Sequence, residues 1–590
     1  MNRKLIVLVS MLLILMLFIS ACDQQTQQAQ QAEQIGEFTV GTYKAQADGM
    51  GGAVHVEVVF AADSIDSIVV TKHQETAGIG DTAIEKLPEQ IINAQSLNID
   101  GISGATLTSN AIFDAIADCI QQAGGNVQEW QDKEPLTANL GPAEDEEITT
   151  DVVVVGTGIA GLSAALEALN SGADVIILEK MPAIGGSTVM SAGKVLAADS
   201  YVQRELGIED SPEQFAEYLM NISKGQADSD FVNLVANLSS DTVDWMVENG
   251  VQFKNEVETP VPDMQPKRGL MTHDDTGAGL TQPLMQMIEE KGGVLLLETP
   301  GKELLTDTNG NVVGILAERA DGSKLTVNAK AVVLATGGFS YNPELLRKYA
   351  PSYNVGLAYS GPGNTGDGLL MAETVGAEII AGDCLIAQLS DLGPTRRADA
   401  SGLFVDSSGN RFMNENMPRP RKAKASISTI GQSQVYFIHD ATEYTDMIPS
   451  GIEAGLTFEA DSIEELATLT GMDVNTLVNT VERYNELCKN GIDEDFGKDA
   501  QSMKPIVEPK FYAIKLGIQC VGTTGGPRIN LDAQVVHKDG HPINGLYAAG
   551  EVASGSLYAY EYPGSGSAIQ SFATFGRIAG SNSAKYALGN

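Results

Sequence analysis

The chain has 590 residues, 37 of them Lys or Arg and 77 Asp or Glu, for a formal net charge of −40. So acidic a protein repels phosphate, which excludes a general nucleic-acid binder. With 43% hydrophobic and only 19% charged residues, wholesale disorder is excluded, and the length predicts roughly four structural units. The 62 glycines point to many tight turns and close backbone approaches, hence to a turn-rich α/β chain.

Arg3 and Lys4 precede an apolar run from Leu5 to Ile19 and the small pair Ser20-Ala21 before Cys22, the order of an export signal. A membrane-spanning anchor is the alternative, but the run stands at the short limit of the about 17–25 residues that a span needs. Ile19-Ser20-Ala21-Cys22 resembles a bacterial lipobox. The resemblance implies a signal peptide over 1–21, diacylation of Cys22, and an extracytoplasmic protein anchored to the cell membrane by lipid. The other cysteines, Cys119, Cys384, Cys488 and Cys520, form no C-x-x-C, so no iron–sulfur, haem c or structural zinc site is expected, and no metal. Spacing alone assigns no bridges among them, and buried thiols are the simpler reading.

Residues 22–37 are dominated by Gln, too polar to fold, and read as a solvated tether. A small α+β domain is expected over 38–125, with a strand at His55–Phe60 and a helix at Asn110–Gln122. The Pro, Gly and acidic residues between 126 and 149 have the composition of a linker. From Thr150 the pattern becomes a buried strand, Asp151–Val155, then a glycine turn, a helix and a second strand, Asp174–Leu178: a β-α-β unit.

Gly156-Thr157-Gly158-Ile159-Ala160-Gly161 fits G-x-G-x-x-G between strand and helix. The first glycine permits the turn, the second lets a pyrophosphate approach the backbone, and the third packs helix on strand. Glu179, 18 residues after the last of these glycines, ends the second strand and is placed to accept hydrogen bonds from an adenosine ribose. Three further segments follow in order: Gly185-Gly186-Ser187-Thr188, Ala335-Thr336-Gly337-Gly338-Phe339, and Gly545-Leu546-Tyr547-Ala548-Ala549-Gly550-Glu551. Together with the helix starting Ser567-Ala568-Ile569, they resemble the flavoprotein family of fumarate and urocanate reductases and 3-ketosteroid dehydrogenases. The resemblance covers about 150–590 and implies a non-covalent FAD. Its binding residues would include Gly156, Gly158, Ala160, Gly161, Glu179, Lys180, Gly185, Gly186, Ser187, Thr188, Ala192 and Gly193 from the first half. Thr336, Gly337, Gly338, Asp367, Gly550, Glu551, Ala568 and Ile569 would complete them. The implied fold is α/β, a Rossmann-like FAD-binding domain (150–382 and 517–590) with an inserted α+β capping domain (383–516), preceded by a small α+β FMN-binding domain.

That preceding domain rests on Asp100-Gly101-Ile102-Ser103-Gly104-Ala105-Thr106-Leu107-Thr108-Ser109, similar to the flavinylation sequence of FMN-binding domains in sodium-pumping quinone reductase subunits and exported reductases. It implies FMN joined through its phosphate to Thr106 by a flavin transferase. The residues alone also read as a polar helix start with Thr108 or Ser109 as N-cap. The order lipid, tether, FMN, FAD suggests electrons arriving from a membrane-associated donor.

In fumarate-reductase-like enzymes hydride goes from flavin to one alkene carbon and a proton from an arginine to the other. Here Phe412-Met413-Asn414-Glu415 is followed by Arg419 at the proton donor's position, and Arg396 and Arg397 lie near the relay arginine, without the glutamate that precedes it in the family. The dicarboxylate clamp departs from the pattern: Gln388 stands for one histidine, Gly522-Thr523-Thr524-Gly525-Gly526 lacks another, and Glu561-Tyr562-Pro563-Gly564-Ser565-Gly566 lacks an arginine. A dianion would lack its cationic partners. Tyr562 to Gly566 instead resembles the Y-x-x-x-G segment of 3-ketosteroid dehydrogenases, where the hydroxyl and the glycine N–H bind a ketone oxygen. His273 is a further candidate. The expectation is a reductase of an activated C=C bond, a small-molecule enone or enoate, as in anaerobic respiration. The alternatives are a ketosteroid-type dehydrogenase, a fumarate or urocanate reductase proper, or a non-catalytic electron carrier.

Overall fold

The computed structural model describes residues 36–589 apart from 76–79, 103–104, 136–143, 260, 262–263, 354, 382, 394–400 and 432. The expected signal peptide, Cys22, most of the tether, Arg396 and Arg397 lie outside the described residues. Contacts divide the chain into two units, one up to Gly141 and one from Pro142.

The first unit is an antiparallel sheet of β1 (Gly41–Asp48), β2 (Ala53–Phe60) and β3 (Ile65–Lys72) with helices α1 (Gly80–Ala94), α2 (Thr106–Gln122) and α3 (Val127–Asp132). In β2 every second residue, Val54, Val56, Val58 and Phe60, is buried, the period of a sheet covered on one face. Ile112, Ile116 and Ile120 of α2 belong to the same core. The linker expected from residue 126 is shorter than its composition predicts. Asn126 caps α3 by accepting the Gln128 N–H, and Trp130 is fully buried in the core, so one large apolar side chain outweighs polar neighbours. Ala105 occupies the N-cap of α2, so neither Thr108 nor Ser109 does.

The second unit opens with β4 (Glu146–Val155), α4 (Ile159–Asn170) and β5 (Val175–Leu178). Glu146 and Glu147, expected in the linker, already pair with Leu325 and Thr326. β4 runs parallel to β5, Val152 opposite Val175 and Val155 opposite Leu178. Val152 to Val155 are all buried because both faces of a parallel sheet are covered. β6 (Val294–Leu296) extends this sheet beyond β5 and β7 (Lys324–Leu334) beyond β4.

The chain then forms the cap. Its six-stranded sheet contains β8 (Val355–Ala358), β9 (Leu385–Asp391), β10 (Leu403–Val405), β11 (Val435–Asp440), β12 (Thr457–Ala460) and β13 (Phe511–Thr523). Helices α5 (Arg419–Ile430) and α6 (Val474–Asn490) belong to the same region. β13 pairs with β8, β9, β11 and β12. This long central strand crosses the boundary expected at 517, and β8 joins from before the boundary expected at 383. The chain returns through β14 (Pro542–Ala548), parallel to β7, and ends in α7 (Ser567–Leu588). Added Cβ atoms on Gly576 and Gly580 would stand 2.4 Å from the Ala160 carbonyl and 2.1 Å from that of Ala164, so the two glycines let α7 lie against α4. That contact fixes the N-terminus of α7, where Tyr562 and Gly566 are anchored. Cys119, Cys384, Cys488 and Cys520 are free thiols. Among the described residues no helix is long and apolar enough to cross a membrane.

Candidate active site

A cavity of about 600 Å³ opens where β4, β5 and β7 end, the side on which open α/β sheets bind ligands. Gly156 turns the chain at φ +108°, and an added Cβ would meet the Ala335 carbonyl at 2.3 Å. Gly161 packs under the turn, its Cβ position 1.9 Å from the Gly156 carbonyl. Gly158 differs from both, because its Cβ direction is open, with Thr188 Oγ1 at 3.9 Å the nearest atom. Gly186 faces the same space, Gly158 Cα at 3.9 Å. Both glycines thus present bare backbone to the cavity at the start of α4, where N–H groups can meet a phosphate.

Glu179 is buried at the cavity wall. Its Oε2 accepts from the Thr157 N–H (3.0 Å) and hydroxyl (2.5 Å), and its Oε1 from the Met181 N–H (2.8 Å). Burial pushes its carboxyl up, against the pull of these donors. Lys180 donates to Thr365 and Asp367, both at 2.7 Å, fastening the strand end to the glycine-rich turn 361–366. Ser187 Oγ accepts from the Gly361 N–H and the Asn364 amide, both at 3.0 Å. Glu551 is buried and accepts from the Thr523 N–H (2.7 Å), the Thr523 hydroxyl (3.0 Å) and Asn364 (3.3 Å). Burial nevertheless pushes it up to about 7.

Of the residues expected to hold FAD, Gly156, Gly158, Ala160, Glu179, Lys180, Gly186, Ser187, Thr188 and Ala192 line this cavity, and so do Thr336, Gly337, Asp367, Gly550, Glu551, Ala568 and Ile569. Gly161, Gly185, Gly193 and Gly338 stand behind the wall, where a side chain would strike Gly156, Val189, Thr276 or Glu551. Thr157 and Asn364 were not singled out by sequence reasoning. Thr157 is an unremarked x of the glycine motif, while the run Gly361-Pro362-Gly363-Asn364-Thr365-Gly366-Asp367 carried a signal for Asn364 in its turn composition. The residues fit FAD: no atom comes nearer than 3.9 Å to the Cβ positions of Gly158 and Gly186, and buried Thr336 Oγ1 lacks a partner among the described residues.

Arg419, Tyr562 and Gly566 line the same cavity. Arg419 is the first residue of α5, between Pro418 and Pro420, whose rings restrict the turn. A helix N-terminus is unfavourable for a cation. Arg421, Lys422 and Lys424 follow with no acid in the first turn, and Arg421 pairs with Glu561 at 2.9 Å. Tyr562 accepts the Ala568 N–H (3.1 Å) at the start of α7, which leaves its O–H to donate. Burial pushes that hydroxyl up to about 12, keeping it protonated at neutral pH. Gly566, at φ +97°, is the N-cap of the same helix.

The other cations of the wall are neutralised: Lys180 by Asp367 at 2.7 Å and Lys194 by Glu258 at 2.5 Å. Gln388 lines the cavity and donates to Gln519 Oε1 at 2.7 Å. Thr523 serves Glu551, Thr524 donates to the Cys384 carbonyl at 2.7 Å, and Glu561 pairs with Arg421 at 2.9 Å. His273 is not brought to the site. It is exposed in the loop after Met271 and does not line the cavity, because its backbone N–H pairs with Gln252 in a surface turn. Arg397 lies outside the described residues.

In the first unit, Thr106 is exposed at the first residue of α2. The neighbouring hydroxyls are committed: Thr108 donates to Glu75 Oε2 (2.6 Å) and Ser109 accepts the Ile102 N–H (3.0 Å).

Comparison with known proteins agrees with this division. Residues 151–569 match the family model of the FAD binding domain and residues 49–121 that of the FMN-binding domain. The chain is 33% identical to a urocanate reductase of Eggerthella lenta, with 92% of each chain covered. It is also 33% identical to an NADH:acrylate oxidoreductase of Vibrio harveyi, covering 92% of this chain but 61% of that longer protein. A flavocytochrome c3 fumarate reductase in its open conformation superimposes with a TM-score of 0.63 at 30% identity, over 85% of this chain and 87% of that one. With the FAD cradle, the capped cavity and the separate FMN unit all present, the chain belongs to the FAD-binding-domain family of flavin-dependent reductases, in the form that carries an FMN-binding domain.

Proposed function

We propose that this protein is an exported, lipid-anchored reductase that saturates an activated C=C bond in a neutral enone or a monoacid, as a terminal step of anaerobic respiration. One observation carries the reading. The flavin cradle, Arg419 and the Tyr562–Gly566 pair line a single cavity whose lysines are already matched by carboxylates. When bound, reduced FAD supplies hydride, and FMN carried on Thr106 relays electrons to it from a membrane-associated donor. The Tyr562 hydroxyl and the Gly566 N–H hold the carbonyl oxygen and stabilise the negative charge that develops there as the β-carbon accepts hydride. Arg419 gives its proton to the α-carbon, assisted by its place at a helix N-terminus, and is reprotonated from solvent. A dianion finds Lys180 and Lys194 already neutralised, so fumarate is a poor substrate. Arg3, Lys4, the run Leu5–Ile19 and Cys22 support export and lipid anchoring, and the exposure of Thr106 beside committed hydroxyls supports its modification by a flavin transferase.

Chemically reduced holoenzyme offered a panel of enones, monoacid enoates and fumarate is expected to be reoxidised fastest by the first two classes. If no alkene reoxidises it, the reading falls. Intact-mass measurement is expected to show the increment of one esterified FMN, absent from Thr106→Val. An unchanged increment in that variant rejects the attachment site.

A further inference from the structure

The cavity brings together two groups from separate parts of the chain: Arg419 from the cap helix α5 and Tyr562 from the loop before α7. Their immediate neighbours are bound to each other. Arg421 Nε donates to Glu561 Oε1 at 2.9 Å, and the two side chains are only 31% and 13% exposed. Farther along α5, Lys424 places its ammonium 5.1 Å from the centre of the Tyr560 ring. Lys224, from the FAD-binding part, lies 4.0 Å from the same ring and donates to the Tyr560 hydroxyl. Tyr560 has φ +66°, a left-handed conformation that a bulky residue keeps only when its surroundings enforce it. Tyr218 secures the other side of the loop by donating to the Pro563 carbonyl at 2.7 Å.

We propose that Arg421 and Glu561, seconded by Lys424 on Tyr560, form a clasp that locks the cap helix to the substrate loop and so sets Arg419 against Tyr562. The proposal rests on the catalytic roles given to those two residues above. Arg421 and Glu561 are positioning residues, one two places after the proton donor and the other one place before the carbonyl-binding tyrosine. Proton and hydride must reach adjacent carbons of one substrate, so the donor's helix and the carbonyl's loop have to keep a common register. A displacement of about 1 Å is enough to cost on the order of 100-fold in rate. An ion pair bridging two segments holds that register while still opening to admit substrate, because a partly exposed pair is weak by itself.

The test is a double-mutant cycle in FAD- and FMN-loaded enzyme, using the alkene turned over fastest in the acceptor panel. Arg421→Gln and Glu561→Gln are each expected to lower kcat by about 10- to 100-fold with KM changed less than about threefold and flavin content unchanged. The double variant is expected to be no slower than the worse single one. Retention of kcat within about twofold by either single variant, or additive losses in the double, overturns the clasp. Hydrogen–deuterium exchange of the same proteins separates this result from failure of the functional reading, since it needs no substrate. Glu561→Gln is expected to speed exchange in 419–430, and Arg421→Gln in 556–566. If wild-type enzyme reduces no alkene, the functional reading fails while exchange still decides the clasp, and unchanged exchange in both segments overturns it.

Discussion

Arg411 and Arg419 lie eight residues apart in the cap and are held in opposite ways. Arg411 is almost fully buried and binds two carboxylates, Glu415 through Nε (2.8 Å) and Nη2 (2.7 Å), Asp493 through Nη1 (3.0 Å) and Nη2 (2.7 Å). Lys498 joins them from below, donating to the Gly402 carbonyl at 2.7 Å and the Tyr484 hydroxyl at 2.8 Å, with Glu415 Oε2 at 3.5 Å. Burial would raise the Asp493 carboxyl, but Arg411 and the Lys498 N–H outweigh it and hold it down to about 2. Arg419 stands instead at a cavity wall on a helix N-terminus. The difference teaches what each arginine is for. Saturating a guanidinium with carboxylates makes it an immovable strut and a hopeless acid, while the proton-donor role proposed for Arg419 calls for a guanidinium held without them. The strut lies in the segment that leads directly into Pro418 and Arg419, so the rigid arginine anchors the chain that carries the one at the cavity.

The largest effect is expected from breaking the strut. Arg411→Ala leaves Glu415 and Asp493 buried without their cation and is expected to cost about 3–5 kcal/mol of stability in chemical denaturation. In the wild type, the part owed to Asp493 is present above its ordinary value near 3.8 and lost as pH falls through about 2. A loss under about 1 kcal/mol would show that the two arginines are not distinct in kind.

Arg419→Gln should behave in the reverse way. It is expected to lower kcat by about 10²- to 10⁴-fold while the melting temperature of the holoenzyme stays close to that of the wild type. Steady-state kinetics beside thermal melts decide this, and wild-type turnover by the variant would remove Arg419 as proton donor.

A smaller effect concerns the flavin side, where Glu551 is buried with neutral donors alone. Its carboxyl titrates near 7 in the folded protein against an ordinary 4.5. A raised acid keeps its proton in the fold after the unfolded chain has lost it, so stability falls as pH rises from 4.5 to about 7 and stays low above. Across that interval the loss is on the order of a few kcal/mol. Glu551→Gln apoprotein is expected to lack this slope in melts taken across that range, and an unchanged slope would assign it to another group.

Much of the FAD cradle was legible because its physics is local. Gly156, Gly158 and Gly161 sit in one turn between one strand and one helix, and Glu179 ends the next strand, so spacing alone placed them. The start of the linker was not legible, because Trp130 buries itself against residues far away in sequence, a contact that composition does not register. His273 shows a related limit: a histidine near a glycine-rich stretch gives no sign of which way its loop turns, and folding leaves it exposed and out of the cavity lining. Arg419, Tyr562 and Gly566 could be named only through a resemblance, since their common cavity is assembled from the cap and the last helix. Thr157 shows the same limit on a small scale, as its hydroxyl matters only once Glu179 is folded next to it.

The sequence by itself determined the order of the units, the nucleotide turn and the acidity of the surface, because strand periodicity, glycine spacing and charge act over a few residues or over the whole chain. Only the tertiary structure decided which cations are spent. Arg411, Lys180, Lys194 and Arg421 meet their carboxylates through folding, and Arg419 reaches the flavin cavity at the start of a helix rich in positive charge. Pairing depends on distances between segments dozens to hundreds of residues apart, and those distances exist only after the core has packed.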